Sequence, residues 1–527
     1  MLPAQPFYFG SEVEPIFGWY HTPEIPNGGG VVLCSPLGLD ATRSHWSYRH
    51  LAERLARAGF GVLRFDWPGT GDSAGDDAQP DRVAVWIAGL NLAIDELKRR
   101  SGAPRPALVG LRVGATLAAQ VAAEREDIGA LVLWMPALTG GAWVSEMAKL
   151  HKLYLRIVPQ ADVPEPDGEE LLGSFASKAT IADLARVDLL ALPRRPAPRI
   201  LVVEDGVLRG AEQLRERLAI LGAEVEWRRG SGQKFLFTVP HRATLPDESL
   251  NTILHWLETL PVDGAKVAPS SPPATTPFRE RPVHCRVDGR LFGIVAPPVE
   301  PPPPERPAIL LLNAGAVNRT GPHRLYVTMA RRWAALGFAV LRIDLSGIGD
   351  TPAADGAAES LVYPRDGLTD IDAAREVLAR ETGASRFIIA GLCSGADFAY
   401  QIARRGGPLA GVIMMNPRTF LELDLARVEG PPVKSQESDL ASKAEALRVA
   451  AGLRQISLNG IDALLVVSRP DPGIDFVDRH APGPIRESEG LPRFVRVNIS
   501  GTDHTFTTLS SQRRVLEITT QYLVRHR

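Results

Sequence analysis

Cysteine is scarce in this 527-residue chain. Cys34, Cys285 and Cys393 are the three present, too few and too scattered for a disulfide framework or a tetrahedral metal site. A reducing compartment is therefore expected, and no metal or other cofactor is called for. Charge of one sign is lacking as well: a formal net charge of -2 gives none of the basic excess with which a protein binds a phosphate backbone, so nucleic acid is not an expected partner. The amino terminus, MLPAQPFYFG, has neither the positive flank nor the apolar run of a secretory signal, and no later stretch approaches the roughly 18 apolar residues of a membrane span. These absences make the expected location cytoplasmic. With 45% hydrophobic and 23% charged residues, disordered, collagen-like and coiled-coil classes find no support either.

The chain does have length, enough for at least two cores, and it has an internal repeat. Residues 51–75 (LAERLARAGFGVLRFDWPGTGDSAG) return at 329–353 (MARRWAALGFAVLRIDLSGIGDTPA) without a gap, at a constant offset of 278 (337 less 59 for Gly337 and Gly59). Pairs such as Phe60/Phe338, Arg64/Arg342, Asp66/Asp344, Gly71/Gly349 and Asp72/Asp350 are identical. A period this long is far outside the solenoid range of about 20–50 residues, so a whole domain has been duplicated. Residues 262–277 (VDGAKVAPSSPPATTP) have the composition of a linker, which predicts one domain over 1–261 and another over 278–527. The proline run at 297–307 reads as a surface loop inside the second.

Each half opens with a two-stranded hairpin pattern and then alternates short, continuously apolar runs with helix-length amphipathic segments. That order predicts α/β domains, each with a mostly parallel sheet buried on both faces by helices. Longer inserts at 137–195 and 416–460 read either as lids over the carboxyl ends of the strands or as helical pairs packed beside the sheet.

In the second half the strand FIIA runs into Gly391-Leu392-Cys393-Ser394-Gly395 and then into a helix rich in small residues. This G-x-C-x-G spacing predicts a strand-turn-helix elbow that projects its central side chain above the sheet. Cys393 is central and Ser394 is off by one, so Cys393 is the candidate nucleophile, weighed against a small buried hydrophobe. The backbone N–H of Ser394 is a candidate oxyanion donor, with a second from Gly315 in the loop Ala314-Gly315-Ala316. Downstream come Asp471, after the strand ALLVVS, and His504, in the loop after RFVRVNIS. Nucleophile, acid, base is the chain order such an elbow uses, with His504 as the base and Asp471 holding its tautomer. Asp475 is the rival acid, His480 and His323 are weaker base candidates, and Asp503 reads as a solvated loop carboxylate turned away from whatever His504 faces. Asn318, Arg319, His323 and Arg324 could grip an acidic acyl tail, against a bland reading as solvated loop residues. Asp344, with Arg342, reads as an organiser of its turn.

The first half aligns GLRVG over GLCSG, placing Arg112 at the elbow tip, where no nucleophile can stand. Its terminal loop GSGQKFLF places Phe235 against His504, and Val207 stands near Asp471. The first half therefore reads as a degenerate copy, with Arg112 either in a salt bridge or holding an anion.

These motifs resemble the α/β-hydrolase superfamily, and most closely its serine-aminopeptidase-like branch with the Arg-x-Asp-x-x-Gly-x-Gly-Asp signature. The segments NRTGPHR, LRIDLSGIGD and GLCSGADFAY resemble hydrolases associated with bacterial exosortase systems, some with cysteine at the elbow. The resemblance implies a Cys393, Asp471, His504 triad and an activity on esters or thioesters through an acyl-cysteine intermediate. Acyl transfer to an alcohol or amine and a non-catalytic binding scaffold are the alternatives. A small-molecule or carrier-linked acyl substrate is expected, with an acyl carrier protein and a homodimer as partners left open.

Overall fold

A computed structural model describes all residues except 1–3, 159–164, 166, 207, 233–235, 265–274, 287–288, 301–302, 304, 419–438, 481 and 527. Most of the linker expected at 262–277, and part of the proline run at 297–307, lie outside the described residues. Two compact units emerge: Met1–Tyr154 with Pro164–Phe278, and Leu155–Val163 with Arg279–Arg527.

The first unit contains β1 (Gln5–Gly10), β2 (Pro15–His21), β3 (Gly30–Cys34), β4 (Gly61–Phe65), β5 (Ala107–Leu111) and β6 (Ala130–Trp134). A separate ribbon, β7 (Gly168–Glu170) and β8 (Phe175–Ser177), precedes β9 (Arg199–Glu204) and β10 (Glu224–Arg229). The second contains β11 (Arg281–Cys285), β12 (Leu291–Ala296), β13 (Ala308–Leu312), β14 (Val340–Asp344), β15 (Phe387–Leu392), β16 (Leu409–Met415), β17 (Asp462–Arg469) and β18 (Phe494–Ser500). The main sheets run β1-β2-β4-β3-β5-β6-β9-β10 and β11-β12-β14-β13-β15-β16-β17-β18, the same order twice. The opening hairpins are antiparallel, β2 and β12 meet β4 and β14 antiparallel, and the remaining pairs are parallel.

The strands are apolar at successive positions because both faces are covered. In β13, Leu310 and Leu312 belong to one core layer while Ile309 and Leu311 belong to the other. Val32 and Cys34 against Val31 and Leu33 divide in the same way in β3. At roughly 25 cal/mol per Å² of apolar surface removed from water, such double-sided burial is the main term holding each sheet. The register carries the geometry of function. Leu312 pairs with Gly391, Leu392 with Met415, and Met415 with Val466, so β13, β15 and β16 finish nearly level, while β17 continues to Arg469, level with Ser500 at the end of β18.

Candidate active site

The elbow follows from two close backbone approaches. A Cβ on Gly391 would lie 2.3 Å from the Gly395 carbonyl carbon, and one on Gly395 would lie 2.6 Å from the Asn313 oxygen, so neither position admits a side chain. Between them Cys393 adopts φ 59°, ψ -121° at the start of the helix Ser394–Arg405, a conformation that costs an L-residue on the order of 1–3 kcal/mol. Its N–H donates to the Met415 carbonyl across the sheet (3.0 Å), and the N–H of Leu392 beneath donates to the buried Tyr326 hydroxyl (2.9 Å). Cys393 is the partly accessible cysteine; Cys34 and Cys285 are buried, and burial pushes the Cys285 thiol up to about 12.

The level strand ends bring Asp471 and His504 together. His504 Nδ1 lies 2.5 Å from Asp471 Oδ2, with the carboxylate fully buried and the imidazole 31% exposed. The second carboxylate oxygen accepts the N–H of Gly473 (3.1 Å). Cys393 and Asp471 both stand close enough to His504 to act on its charge. Burial opposes charge on the imidazole, but the Asp471 hydrogen bond and the charges of Asp471 and Cys393 outweigh it and push the His504 pKa up to about 10. The rival acid goes elsewhere: Asp475 accepts from Arg469 Nη1 (2.6 Å). The rival bases sit on other elements, His480 at the end of the helix Pro472–His480 and His323 in a left-handed turn residue with φ 52°.

At the expected oxyanion site, Ser394 opens its helix and its N–H has no intrahelical acceptor. Gly315 has φ 58°, and its N–H donates to the buried Ser394 Oγ (2.9 Å). The donor named from sequence is thus engaged in this structure. Among the described residues the next amide, Ala316 N–H, has no acceptor.

Residues 41–218 match the family described as Hydrolase_4, serine aminopeptidase, S33. That match falls on the first copy, and the repeated strand order extends the same architecture to the second. The chain is two tandem α/β domains, each a mostly parallel sheet flanked by helices. Similar solved structures include Est1E from Butyrivibrio proteoclasticus with ferulic acid bound (14% identity, 48% of this chain and 96% of that one, TM-score 0.35). A thermostable carboxyl esterase from Bacillus coagulans is 14% identical over 49% of this chain and 99% of that one (TM-score 0.37). Proline iminopeptidase from Mycobacterium smegmatis is 14% identical over 48% and 97% (TM-score 0.33). The search of curated proteins returns no match.

The elbow tip of the matched copy is Arg112, with φ 55°, ψ -127°. The guanidinium is committed: Nη2 lies 2.6 Å from Glu146 and Nε 3.6 Å from Asp40, with the Phe237 ring 5.8 Å away. The salt bridge, not an anion site, is what the tip forms. Trp143 Nε1 donates to Asp40 (3.3 Å), and Trp143 and Glu146 both stand on the insert helix Gly140–Ile157, so here the insert does cover the elbow. In the second unit Val449, Leu453 and Ile456 of the helix Asp439–Leu458 enter the core, which is packing beside the sheet; 419–438 lie outside the described residues. Phe235 and Val207, read as the lost base and acid positions, also lie outside them.

Several residues read loosely from sequence have definite work. Arg319, named as a loop residue that could grip an acyl tail, is buried: Nη1 donates to Asp344 and Asp350 (both 2.8 Å) and the guanidinium lies 4.4 Å from the Phe292 ring. Asp344 also accepts the N–H groups of Arg319 (2.5 Å) and Asp350 (3.0 Å), and organises its turn. Arg342, paired with Asp344 by sequence, lies 3.3 Å from Glu280 instead. Asp503 is not a solvated bystander: it accepts Thr505 Oγ1 (2.8 Å), Thr507 N–H (2.7 Å) and Thr507 Oγ1 (2.7 Å), bracing the base loop. Thr505 and Thr507, two and four residues on, were the available sequence signal for such a turn. Among the described residues no cluster of His, Cys, Asp and Glu could hold a metal ion, and no helix is long and apolar enough to cross a membrane.

Proposed function

We propose that the second unit hydrolyses an ester or thioester through an acyl-Cys393 intermediate. The observation that carries this reading is the His504–Asp471 hydrogen bond beside an elbow whose tip is the cysteine. The Cys393 proton passes to His504, whose imidazolium is favoured by buried Asp471. The sulfur attacks the acyl carbonyl carbon, and the negative oxygen that results is met by backbone N–H groups of Ser394 and the 314–316 turn. Collapse of this intermediate breaks the bond to the leaving alcohol or thiol, which takes its proton from His504. Water then loses a proton to His504 as it attacks the thioester carbonyl, and release of the acid returns the proton to sulfur.

The test is to incubate the full chain with acyl thioesters and p-nitrophenyl esters and weigh the intact protein. A transient acyl mass on Cys393 with release of the free acid supports hydrolysis. An adduct that clears only when an alcohol or amine is added would make the enzyme an acyltransferase. A Cys393→Ala protein with full turnover would remove the acyl-cysteine intermediate, and a wild type with neither adduct nor turnover would leave a binding scaffold.

A further inference from the structure

The acid and base stand on separate loops, and a side chain outside the triad ties the two. Asn416 directly follows β16, is fully buried, and has φ 42°. Its Oδ1 accepts the N–H of Ser468 (2.7 Å) on the strand leading to Asp471, and its Nδ2 donates to the backbone carbonyl of His504 (2.7 Å). One partner can only donate and the other only accept, so they fix which end of the amide is which. The acid turn closes on the same segment, for a Cβ on Gly473 would lie 2.4 Å from the Pro417 oxygen.

The first unit supplies the control. Met135 follows β6 with φ 44°, and its N–H donates to Val203 (2.8 Å) as that of Asn416 donates to Val466 (2.9 Å). Val203 pairs with Trp134 as Val466 pairs with Met415. Met135 stands 281 positions before Asn416 (416 less 135), as Arg112 stands 281 before Cys393 (393 less 112). The backbone is the same, so the fold does not require an amide there; Met135 packs into the apolar layer instead. The amide is present where the tip is cysteine and absent where it is arginine.

We infer that Asn416 is a positioning residue, which holds the Asp471 and His504 loops at the separation their hydrogen bond needs. The inference rests on the triad reading above. Being neutral at every working pH, the amide keeps this brace constant while the imidazole titrates.

Iodoacetamide alkylation of Cys393 in the full chain, followed by peptide mass from pH 5 to 10, tests it without a known substrate. Wild type should react at a rate nearly flat through neutrality, and His504→Ala slowly, with the rising profile of an ordinary thiol of pKa about 8.5. Asn416→Met, which copies the first unit, should lose roughly ten- to a hundredfold at pH 7 and take on that rising profile. Asn416→Asp keeps an acceptor for Ser468 but no donor for His504, and should fall between; it decides the matter if the Met variant does not fold. Profiles for the Asn416 variants within twofold of wild type, with His504→Ala displaced, overturn the inference alone. Coincident wild-type and His504→Ala profiles remove the triad, and the role of Asn416 with it.

Discussion

At the tip of one elbow Arg112 sits at φ 55°, ψ -127°; at the tip of the other Cys393 sits at φ 59°, ψ -121°. Each N–H reaches the neighbouring strand at 3.0 Å, and each elbow is squeezed by its own glycines, with a Cβ on Gly110 meeting Ala115 Cα at 2.3 Å as one on Gly391 meets Gly395. What differs is the company. Cys393 has an imidazole backed by a buried carboxylate, whereas Arg112 has two carboxylates, Asp40 and Glu146. The strained backbone is therefore common to both copies, and what separates them is the set of partners around the tip residue.

The contrast can be broken most severely at the tips. Cys393→Ala is expected to abolish turnover, a loss of at least about 10³-fold, while Arg112→Ala stays within twofold; equal effects in a p-nitrophenyl ester assay would erase the assigned division of labour. Next comes the acid. Asp471→Asn should lower kcat/KM by on the order of 10²- to 10⁴-fold, because the wrong tautomer of His504 then faces the thiol, and Asp475→Asn should change it less than twofold. A smaller effect, on stability, should be shared by both units: Gly110→Ala and Gly391→Ala each force a methyl into backbone and should cost about 1–3 kcal/mol, read as a lowered denaturation midpoint. A cost in the second elbow alone would mean that the first can give way to a methyl where the second cannot.

The smallest effect is the pH dependence of stability. His504 has a folded-state pKa raised from 6.5 to about 10, so its contribution is fully present below about pH 6.5 and is lost as pH rises through 10. The thermal midpoint difference between wild type and His504→Ala should shrink over that window, and a difference that grows would reverse the sign given to the imidazole.

Much of this was legible without coordinates, because it is written in local order. The duplicated strands, the glycines at 391 and 395, and the sequence Cys393, Asp471, His504 each show in a short window or in chain order. The choice of Asp471 over Asp475 was not, since four residues on one turn differ only in which way they face; Arg469 takes the second. Arg319 looked like a loop cation because its acidic partners, Asp344 and Asp350, lie 25 and 31 residues away. Asn416 was invisible for the same reason: its two amide partners are 52 and 88 residues downstream, and no periodicity marks a residue whose purpose is to join loops.

The Asp66 and Asp344 turns also carry a consequence. Asp66 accepts the N–H of Asp72 (2.8 Å) and Asp344 that of Asp350 (3.0 Å), and a Cβ at Gly71 or Gly349 would strike the aspartate itself, at 2.1 and 2.4 Å. This staple closes the turn after β4 and the turn after β14 in the same way. The turn is thus built alike whether the elbow tip beside it carries a cysteine or an arginine in an ion pair.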